Sequence, residues 1–492
     1  MEDTVSVCTI DARLPDQIST LLSPPPLPQV QEYFEALVAE RQCSGLRVKP
    51  DSEHGKGVYS KVDIQEGDLV LKDQMLVGAQ DASNKVFCFR FIGSIELQIG
   101  RKLYLEELGV SAVDECGSSD EMGCGSSFEK IRLPQDTIQL LMNGILHLPY
   151  SKNFPLPSVV PCIGGCNEAY YCSQSCAEAD WGSFHSLLCT GCGSSSPNTE
   201  ALSKFMKHAN ETNDIFIVAA KVISYIILRY KKLKAALQQG KHDTSYPCNS
   251  CILPLLLEAW KPVSMGFKKR WWDCIALPED VDSCNGTKFR MQIKDLAFES
   301  SLQLLKEAIY DDEFAPCILL ISETADLLME IYAFCPYFED LNLSEVLSLE
   351  VYGHIIGMFE LNNLALVVAS PVEDYFLYID DLPLSQKKEA EKTTKPLLDA
   401  LGDNYSVSCQ GTAFFPLQSC MNHSCIPNAK AFKREEDRDG QATIIALRPI
   451  IEEEEITISY IDEDLPYKER QELLADYGFR CKCSKCVIDE GP

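Results

Sequence analysis

The spacing of apolar and polar positions divides the chain into stretches of different periodicity. From Leu46 to about residue 80, short alternating runs (LRVKP, HGKGVYS and VDIQEGDLVLKDQMLVGA) are separated by glycine turns and predict β-strands. From about 200 to 335 the apolar spacing is helical, and its clearest part, Leu202 to Leu237, predicts more than one helix with a break around Asn213. Short β-like segments return from about 350 to 460, interrupted by a charged helical insert at 384–400.

Three further segments stand out from this pattern. Residues 1–43 are proline-rich around SPPPLP and predict a flexible leader. Residues 112–130 are rich in Ser, Gly and acidic residues and predict a mobile insertion. The most apolar stretch, Ile215 to Tyr230, is interrupted by Lys221 and is too short to span a bilayer, so it predicts a buried helix. The acidic start lacks a secretory signal, and we expect an intracellular protein without a membrane partner.

Composition narrows the class of partner. The 492 residues include 73 acidic and 44 basic side chains, a formal charge of −29. Such a surface repels phosphates, so direct nucleic-acid binding is not expected. It suits a basic partner such as a histone tail, although acidity that only maintains solubility is an open alternative. With 23 cysteines and no secretion signal, clustered thiols predict metal sites rather than disulfides.

Two cysteine clusters have the spacing of zinc ligands. In PCIGGCNEAYYCSQSCAEADWGSFHSLLC, three pairs (C-x3-C, C-x3-C and H-x3-C) lie close together, as tetrahedral zinc requires. The residues are Cys162, Cys166, Cys172, Cys176, His185 and Cys189. A second cluster, C-x-C-x2-C at Cys481, Cys483 and Cys486, is one ligand short of a structural site and needs a fourth from elsewhere.

Four sequence words carry a family resemblance. LQSCMNHSCIPNA, EEEITISYID, DYGFRCKCSKC and HGKGVY together resemble the SET domain of protein lysine methyltransferases, and the cysteine-histidine segment resembles the MYND zinc module. The arrangement is similar to the SET-and-MYND subfamily, and most similar to plant trithorax-related SET proteins. Glu453 departs from the pattern, because family members often carry glycine there.

The resemblance implies a fold and a division of the chain. We expect an α+β protein: a β-rich, pseudoknotted SET fold split by a MYND zinc module and a helical insert, with a zinc-binding post-SET tail. The implied segments are a leader (1–43), the first part of the SET domain (44–80), a MYND-like module with an insertion (81–192), a helical insert (193–349), the core SET domain (350–465) and the post-SET tail (466–492). Because the chain ends six residues after Cys486, we expect no helical-repeat domain after it and an open substrate cleft.

The resemblance also assigns roles to residues around S-adenosylmethionine. Tyr460 would be the catalytic tyrosine, with its hydroxyl also near the cofactor. The other implied cofactor contacts are Gly55, Lys56, Gly57, Asn362, Ser419, Asn422, His423 and Phe479. Asn422 and His423 would hold the amino and carboxylate end and the adenine edge, and Phe479 would cover the adenine.

By the same resemblance, Cys162, Cys166, His185 and Cys189 would bind one zinc ion, and Cys425 would join Cys481, Cys483 and Cys486 on another. Cys172 and Cys176 would share a further ion with an upstream C-x2-C pair. The chain lacks that pair, since only Cys88, Cys116 and Cys124 lie in the preceding segment. We therefore expect two zinc sites and leave the third open.

The expected function is lysine methylation of a protein, with histone H3 in chromatin as the first substrate and the nucleus, or also the cytoplasm, as the location. Two alternatives remain at this stage. The chain could methylate a non-histone protein, or it could be a non-catalytic scaffold whose MYND module binds a transcription factor or another proline-containing peptide. Cofactor binding discriminates the scaffold from the enzymes.

Overall fold

The computed structural model of the protein describes residues 8–51, 55–80, 91–107, 133–239, 252–277, 285–309, 347–432 and 439–491. The predicted insertion at 112–130 and the cysteines Cys88, Cys116 and Cys124 lie outside these ranges.

The strands join distant parts of the chain. They are Leu46–Asp51 (β1), Gly55–Ser60 (β2), Leu69–Asp73 (β3), Val77–Gln80 (β4), Val160–Pro161 (β5), Tyr170–Tyr171 (β6), Asn363–Val368 (β7), Cys409–Phe414 (β8), Asn422–His423 (β9), Ala429–Ala431 (β10), Ala442–Ala446 (β11) and Glu455–Ile458 (β12). Three sheets, ordered β1-β2-β12-β9, β10-β11-β3 and β4-β8-β7, each combine strands before residue 81 with strands after residue 362. One domain is therefore built from two separated segments, with the zinc-binding and helical segments between them. The predicted class of a mixed fold with small sheets is confirmed.

The order within the first sheet places the two halves of the site side by side. β12 pairs antiparallel with β2 through Ile456 and Val58, and parallel with β9 through Thr457 and Ile458. The glycine-containing strand β2 and the Asn422–His423 pair therefore flank the strand that leads into Tyr460.

Helices fill the remaining described segments. They are Thr9–Arg13, Pro15–Leu22, Leu27–Glu40, Ile95–Glu107, Gln135–Met142, Gln174–Asp180, Ser186–Leu188, Thr199–Thr212, Ile215–Gln239, Ile252–Ser264, Trp271–Cys274, Gly286–Asp295, Gln303–Ile309, Leu349–Asn362, Pro371–Asp380, Leu384–Leu401, Tyr467–Asp476 and Ser484–Glu490. Short 3-10 turns lie at Ser151–Asn153, Gly402–Tyr405 and Gln418–Cys420, and π-helical turns at Trp181–His185 and Leu296–Leu302.

The helical insert follows its sequence pattern closely. The predicted break falls at Asn213, whose side-chain Oδ1 accepts the N–H of Ile215 at 3.0 Å and so begins the next helix. That helix, Ile215–Gln239, is buried along most of its first four turns, as its apolar composition predicts. Within the described residues, none of the helices combines the length and apolarity that a membrane span requires.

The prediction of a flexible leader for residues 1–43 is wrong for its described part. Helix Leu27–Glu40 buries Val30, Phe34, Leu37 and Val38, which are spaced so that they share one face. That face packs into the same apolar cluster as strands β1, β2 and β12. The prolines of 24–26 precede the helix instead of preventing it, since Pro26 lies at its N-cap.

A second difference concerns residues 350–362, which were expected to be β-like. They form the helix Leu349–Asn362, in which nine residues are buried. A helix that is apolar on all sides has no clear period, so its pattern resembles that of a buried strand. The charged insert expected at 384–400 does form a helix, Leu384–Leu401.

Candidate active site and metal centres

A cavity of about 1050 Å³ lies where the two halves of the split domain meet. It gathers residues from distant parts of the chain, from Leu22 to Cys483. The residues expected at the cofactor that line it are Gly55, Lys56, Asn362, Ser419, Asn422, His423, Tyr460 and Phe479. Gly57 lies behind this lining, where an added Cβ would be 3.3 Å from Asn422 Nδ2 and 2.6 Å from Glu455 Oε1. A side chain at 57 would therefore displace Glu455 and crowd Asn422.

Asn422 is held in one orientation. Its Nδ2 donates to Glu455 Oε1 at 2.8 Å, across the pairing of β9 with β12. This bond fixes which end of the amide faces the cavity, so Oδ1 is the acceptor that Asn422 can offer to a ligand. Glu455 was not singled out in the sequence, because a carboxylate in the acidic run Glu452 to Glu455 is usually solvated.

His423 connects the tyrosine to a cysteine cluster. Its Nδ1 accepts the backbone N–H of Tyr460 at 3.1 Å, so in the neutral ring Nε2 carries the proton and points to Cys425 Sγ at 3.2 Å. Burial, with a smaller contribution from the Arg470 cation, lowers the pKa of His423 to about 4. The ring is therefore neutral at pH 7. Since both ring nitrogens are bonded within the protein, a ligand would meet its backbone or its ring face.

Tyr460 lies at the centre of an aromatic cluster. Its hydroxyl donates to the carbonyl of Met421 at 2.6 Å, and its ring centroid is 5.2 Å from that of Tyr477 and 6.3 Å from that of Phe479. Burial raises the pKa of Tyr460, and the nearby thiol of Cys420 adds to the shift. The side chain therefore remains a phenol at neutral pH and can position a neighbour by hydrogen bonding.

Two other predicted residues present less polar surface than expected. Asn362 Nδ2 donates to the carbonyls of Phe267 and Met358, both at 2.7 Å. Ser419 Oγ donates to the carbonyl of Pro416 at 3.2 Å. Both residues line the cavity, but these bonds hold backbone segments in place.

The first candidate metal centre consists of Cys162, Cys166, His185 and Cys189, whose ligand atoms all lie within 4.8 Å of one another. The Sγ atoms of Cys162 and Cys189 are 3.7 Å apart, and His185 Nε2 is 3.2 Å from Cys162 Sγ and 3.3 Å from Cys166 Sγ. Tetrahedral zinc with ordinary bond lengths separates two thiolates by about 3.8 Å and a thiolate from an imidazole nitrogen by about 3.6 Å. The donor set and its size fit zinc.

The second metal centre joins the core of the domain to its tail. Cys425 follows β9, whereas Cys481, Cys483 and Cys486 belong to the tail, and all four ligand atoms lie within 4.8 Å of one another. Gln471 Nε2 donates to Cys486 Sγ at 3.2 Å, which is the bond that a metal-bound thiolate accepts from its surroundings. Cys425 therefore lies where the sequence predicts a fourth ligand for the tail motif, and the four cysteines have the geometry of a zinc site.

Cys172 and Cys176 belong to no comparable group of ligands within the described ranges. The candidate partners for a third ion, Cys88, Cys116 and Cys124, are outside those ranges. The third site therefore stays an open prediction.

Comparison with known proteins agrees with this geometry. The family model of the SET domain matches residues 305–461, and that of the MYND finger matches residues 155–189. Over 502 aligned residues the chain is 58% identical to histone-lysine N-methyltransferase ATXR2 of Arabidopsis thaliana, covering 98% of this chain and 99% of the relative. The chain belongs to the SET- and MYND-domain protein-lysine methyltransferases.

More distant members of the family also align over most of the length. Protein-lysine N-trimethyltransferase SMYD5 of Gallus gallus is 22% identical over 89% of this chain and 84% of the relative. The corresponding protein of Mus musculus is 23% identical over 92% of this chain and 89% of the relative. The recognised SET region starts at residue 305, yet β1 to β4 complete its sheets, so in this family member the domain is larger than the matched segment.

Several lining residues of this SET-domain cavity were missed in the sequence. One wall comes from the N-terminal segment, through Leu22, Pro24, Pro25, Leu27 and Val30. No motif marks these residues, and their proline content favoured the interpretation as a leader. Tyr477, in DYGFRC, could have been found from its position two residues before Phe479.

A second wall, from the helical insert, is fixed by two lysines. Lys268 Nζ donates to the carbonyls of Val263, Ser264 and Gly266 at 3.1, 3.0 and 2.9 Å. Lys56 Nζ donates to the carbonyl of Met265. Both cations therefore satisfy carbonyls at the end of helix Ile252–Ser264, next to the cavity.

Proposed function

We propose that the protein transfers methyl groups from S-adenosylmethionine to a lysine of a histone, with histone H3 as the first candidate. The observation that carries the proposal is the single cavity lined by Gly55, Asn422, His423 and Tyr460 from both halves of the domain. The printed activity of the Arabidopsis relative supports a histone as the substrate. The nucleus is then the expected place of action.

The cavity fits the proposed cofactor. Its volume of about 1050 Å³ exceeds what a nucleoside joined to an amino acid needs, so substrate and cofactor can share it. Asn422 Oδ1 is an acceptor suited to the ammonium group of the cofactor. Lys56 also lines the cavity, and its positive charge would attract the carboxylate of the cofactor. S-adenosylmethionine, when bound, supplies a methyl group on a positively charged sulfur.

The protein's own contribution is to make the lysine amine reactive and to place it. A free lysine has a pKa of about 10.4 and is mostly protonated at pH 7, so it is a poor nucleophile. The rings of Tyr460, Tyr477 and Phe479 form an apolar wall that disfavours the charged form by desolvation. Tyr460 keeps its proton, so it orients the amine and does not act as the base.

The test is transfer of labelled methyl groups to separate recombinant histones. Tyr460→Phe should retain cofactor binding and lower kcat by about a hundredfold or more, because it removes a positioned hydroxyl. Asn422→Ala should weaken cofactor binding by about tenfold or more, because it removes a hydrogen bond to a charged group. Tyr378→Phe is the matched control, since that hydroxyl accepts from Asn153 Nδ2 at 3.2 Å in a helix that does not line the cavity.

The outcomes separate the alternatives. Label on H3 that is lost in Tyr460→Phe supports the full proposal. Label on a non-histone protein, with histones unlabelled, would support lysine methylation but exclude histones as the substrate. The names of the SMYD5 relatives specify protein lysine and do not specify a histone. Absence of cofactor binding by folded, zinc-loaded protein would overturn the proposal and favour a scaffold whose MYND module binds proline-containing peptides.

A further inference from the structure

Asp73, the last residue of β3, is fully buried and contacts the 3-10 turn Gln418–Cys420. Its Oδ2 accepts two backbone N–H groups, from Leu417 at 2.8 Å and from Gln418 at 3.0 Å. These groups begin the 3-10 turn Gln418–Cys420 and would otherwise lack acceptors. The carboxylate therefore fixes the start of this turn without lining the cavity itself.

The turn that Asp73 fixes contains one cavity residue and leads into two more. Ser419 lies within it, and Asn422 and His423 follow directly in β9. A hydrogen bond to an ionised carboxylate is stronger than one to a neutral acceptor. A change of charge on Asp73 would therefore weaken its bonds to Leu417 and Gln418 and alter the positions of Ser419, Asn422 and His423.

The negative charge of Asp73 is balanced from the N-terminal segment. Arg41, which follows helix Leu27–Glu40, places Nε 3.7 Å from Asp73 Oδ1, and its side chain is 12% exposed. Arg41 Nη1 also donates to Gln74 Oε1 at 2.6 Å. No hydrogen-bond donor to Asp73 Oδ1 lies within the described residues, so Arg41 acts on that oxygen by charge.

Burial raises the pKa of Asp73 to about 6, because desolvation outweighs the two N–H groups and Arg41. The other titratable groups that face it are Tyr33 of the same helix, Cys43 after it and Cys420 of the turn. Since the folded pKa is above the unfolded value, the contribution of Asp73 to stability is largest at acidic pH and is lost as the pH rises through about 6. An ionised Asp73 at pH 7 therefore lowers the stability of the fold relative to a neutral one.

We propose that Asp73, balanced by Arg41, is a positioning residue for cofactor binding, which as an ionised carboxylate holds the Leu417–His423 segment in its ligand-binding conformation. This inference rests on the proposed function, since it concerns the same cofactor. It also gives the N-terminal helix a role in the site, through Arg41.

The test uses full-length, zinc-loaded protein and measures the dissociation constant of S-adenosylmethionine by calorimetry, together with unfolding by urea. Asp73→Asn keeps the shape and an acceptor oxygen but removes the charge. We expect about five- to tenfold weaker cofactor binding at pH 7.5, from exchanging charged for neutral hydrogen bonds. Unfolding stability should be unchanged or higher, which a purely structural carboxylate would not give.

Two further measurements make the test specific. In the unsubstituted protein, cofactor affinity should fall as the pH is lowered through about 6, and Asp73→Asn should not show this step. Arg41→Met should move the step to higher pH and should have little effect when combined with Asp73→Asn. Asp63→Asn is the matched control, because Asp63 Oδ1 accepts the N–H of Glu452 at 2.9 Å on the exposed surface.

The outcomes distinguish this inference from the proposed function. If the unsubstituted protein does not bind the cofactor, the proposed function fails and this inference fails with it. If it binds, but Asp73→Asn binds equally well or affinity shows no step near pH 6, the inference alone is overturned. If Asp73→Asn does not fold, the pH titration of the unsubstituted protein and of Arg41→Met still decides it.

Discussion

Glu453 occupies a backbone conformation that favours glycine. Its φ is +70°, and it lies in the turn before β12, where family members often carry glycine. Its carboxylate partly compensates, because Oε2 is 2.8 Å from Lys49 Nζ and also contacts Arg47. These ion pairs are largely exposed and contribute little to stability. A residue with a side chain is therefore held here in a strained backbone conformation.

We expect Glu453→Gly to be more stable than Glu453→Ala by about 1 kcal/mol. Both variants lose the ion pairs, but only glycine relieves the left-handed conformation. Urea unfolding of the two proteins measures the difference. Equal stability would mean that the turn relaxes without strain. Glu452, which has an ordinary φ, gives the control: glycine should be less stable than alanine there.

The sequence predicted which residues line the cavity better than it predicted what their polar atoms do. Asn422 and Tyr460 were assigned from the family resemblance that their sequence words carry. By contrast, Asn362 donates to a carbonyl 95 positions away, and Asp73 fixes a turn 344 positions away. Such partners depend on tertiary contacts that no local pattern records, so the roles of these residues required the structure.

At the scale of elements, helix Leu27–Glu40 is part of the SET core. Phe34 is 2% exposed within the cluster that contains Leu46, Val58 and Met421, and Lys56 Nζ lies 5.6 Å from its ring centroid. The helix therefore packs against the apolar core and against Lys56, which lines the cavity.

Phe34→Ala should lower the free energy of unfolding by about 3–5 kcal/mol, the usual result of truncating a buried phenylalanine. Glu32→Ala, on the exposed face of the same helix, should change it by less than about 0.5 kcal/mol. A small effect of Phe34→Ala on urea unfolding would mean that helix Leu27–Glu40 does not contribute to the core and that residues 27–40 act as a leader.

The tail carries three of the four residues of the second candidate metal centre. Phe479, Cys481 and Cys483 line the cavity, and the cysteines are tied to the core through Cys425. Because one ion would join the three tail cysteines to Cys425 of the core, we expect zinc binding and closure of the cavity to be coupled.

Cys486→Ser should release about one zinc ion per chain and weaken cofactor binding by roughly tenfold or more, since the aromatic wall at Phe479 loses its anchor. Metal analysis and calorimetry measure the two effects. Cys192→Ser is the control, as Cys192 is exposed and belongs to neither four-residue group. Unchanged zinc content in Cys486→Ser would exclude this cysteine as a ligand.

At the scale of the whole molecule, the split domain explains what sequence periodicity could and could not predict. Strands were recognised individually, but the pairing of β3 with β11 joins Leu71 to Ile444 across the zinc module and the helical insert. The family resemblance connected these halves, because HGKGVY lies in the N-terminal segment and the other three words lie after residue 416. Periodicity alone would have indicated separate β-rich domains.

The net charge of −29 leads to the last prediction, which concerns the form of the substrate. An acidic enzyme attracts a free basic histone tail but is repelled by nucleosomal DNA, and both effects weaken as salt shortens the screening length to about 10 Å at 0.1 M. At low salt, kcat/KM should therefore be higher for an H3 tail peptide than for nucleosomes, and the advantage should shrink as salt rises. A peptide with the same target lysine but neutral flanking residues should show little salt dependence. If nucleosomes are the better substrate at low salt, the surface charge does not direct substrate choice.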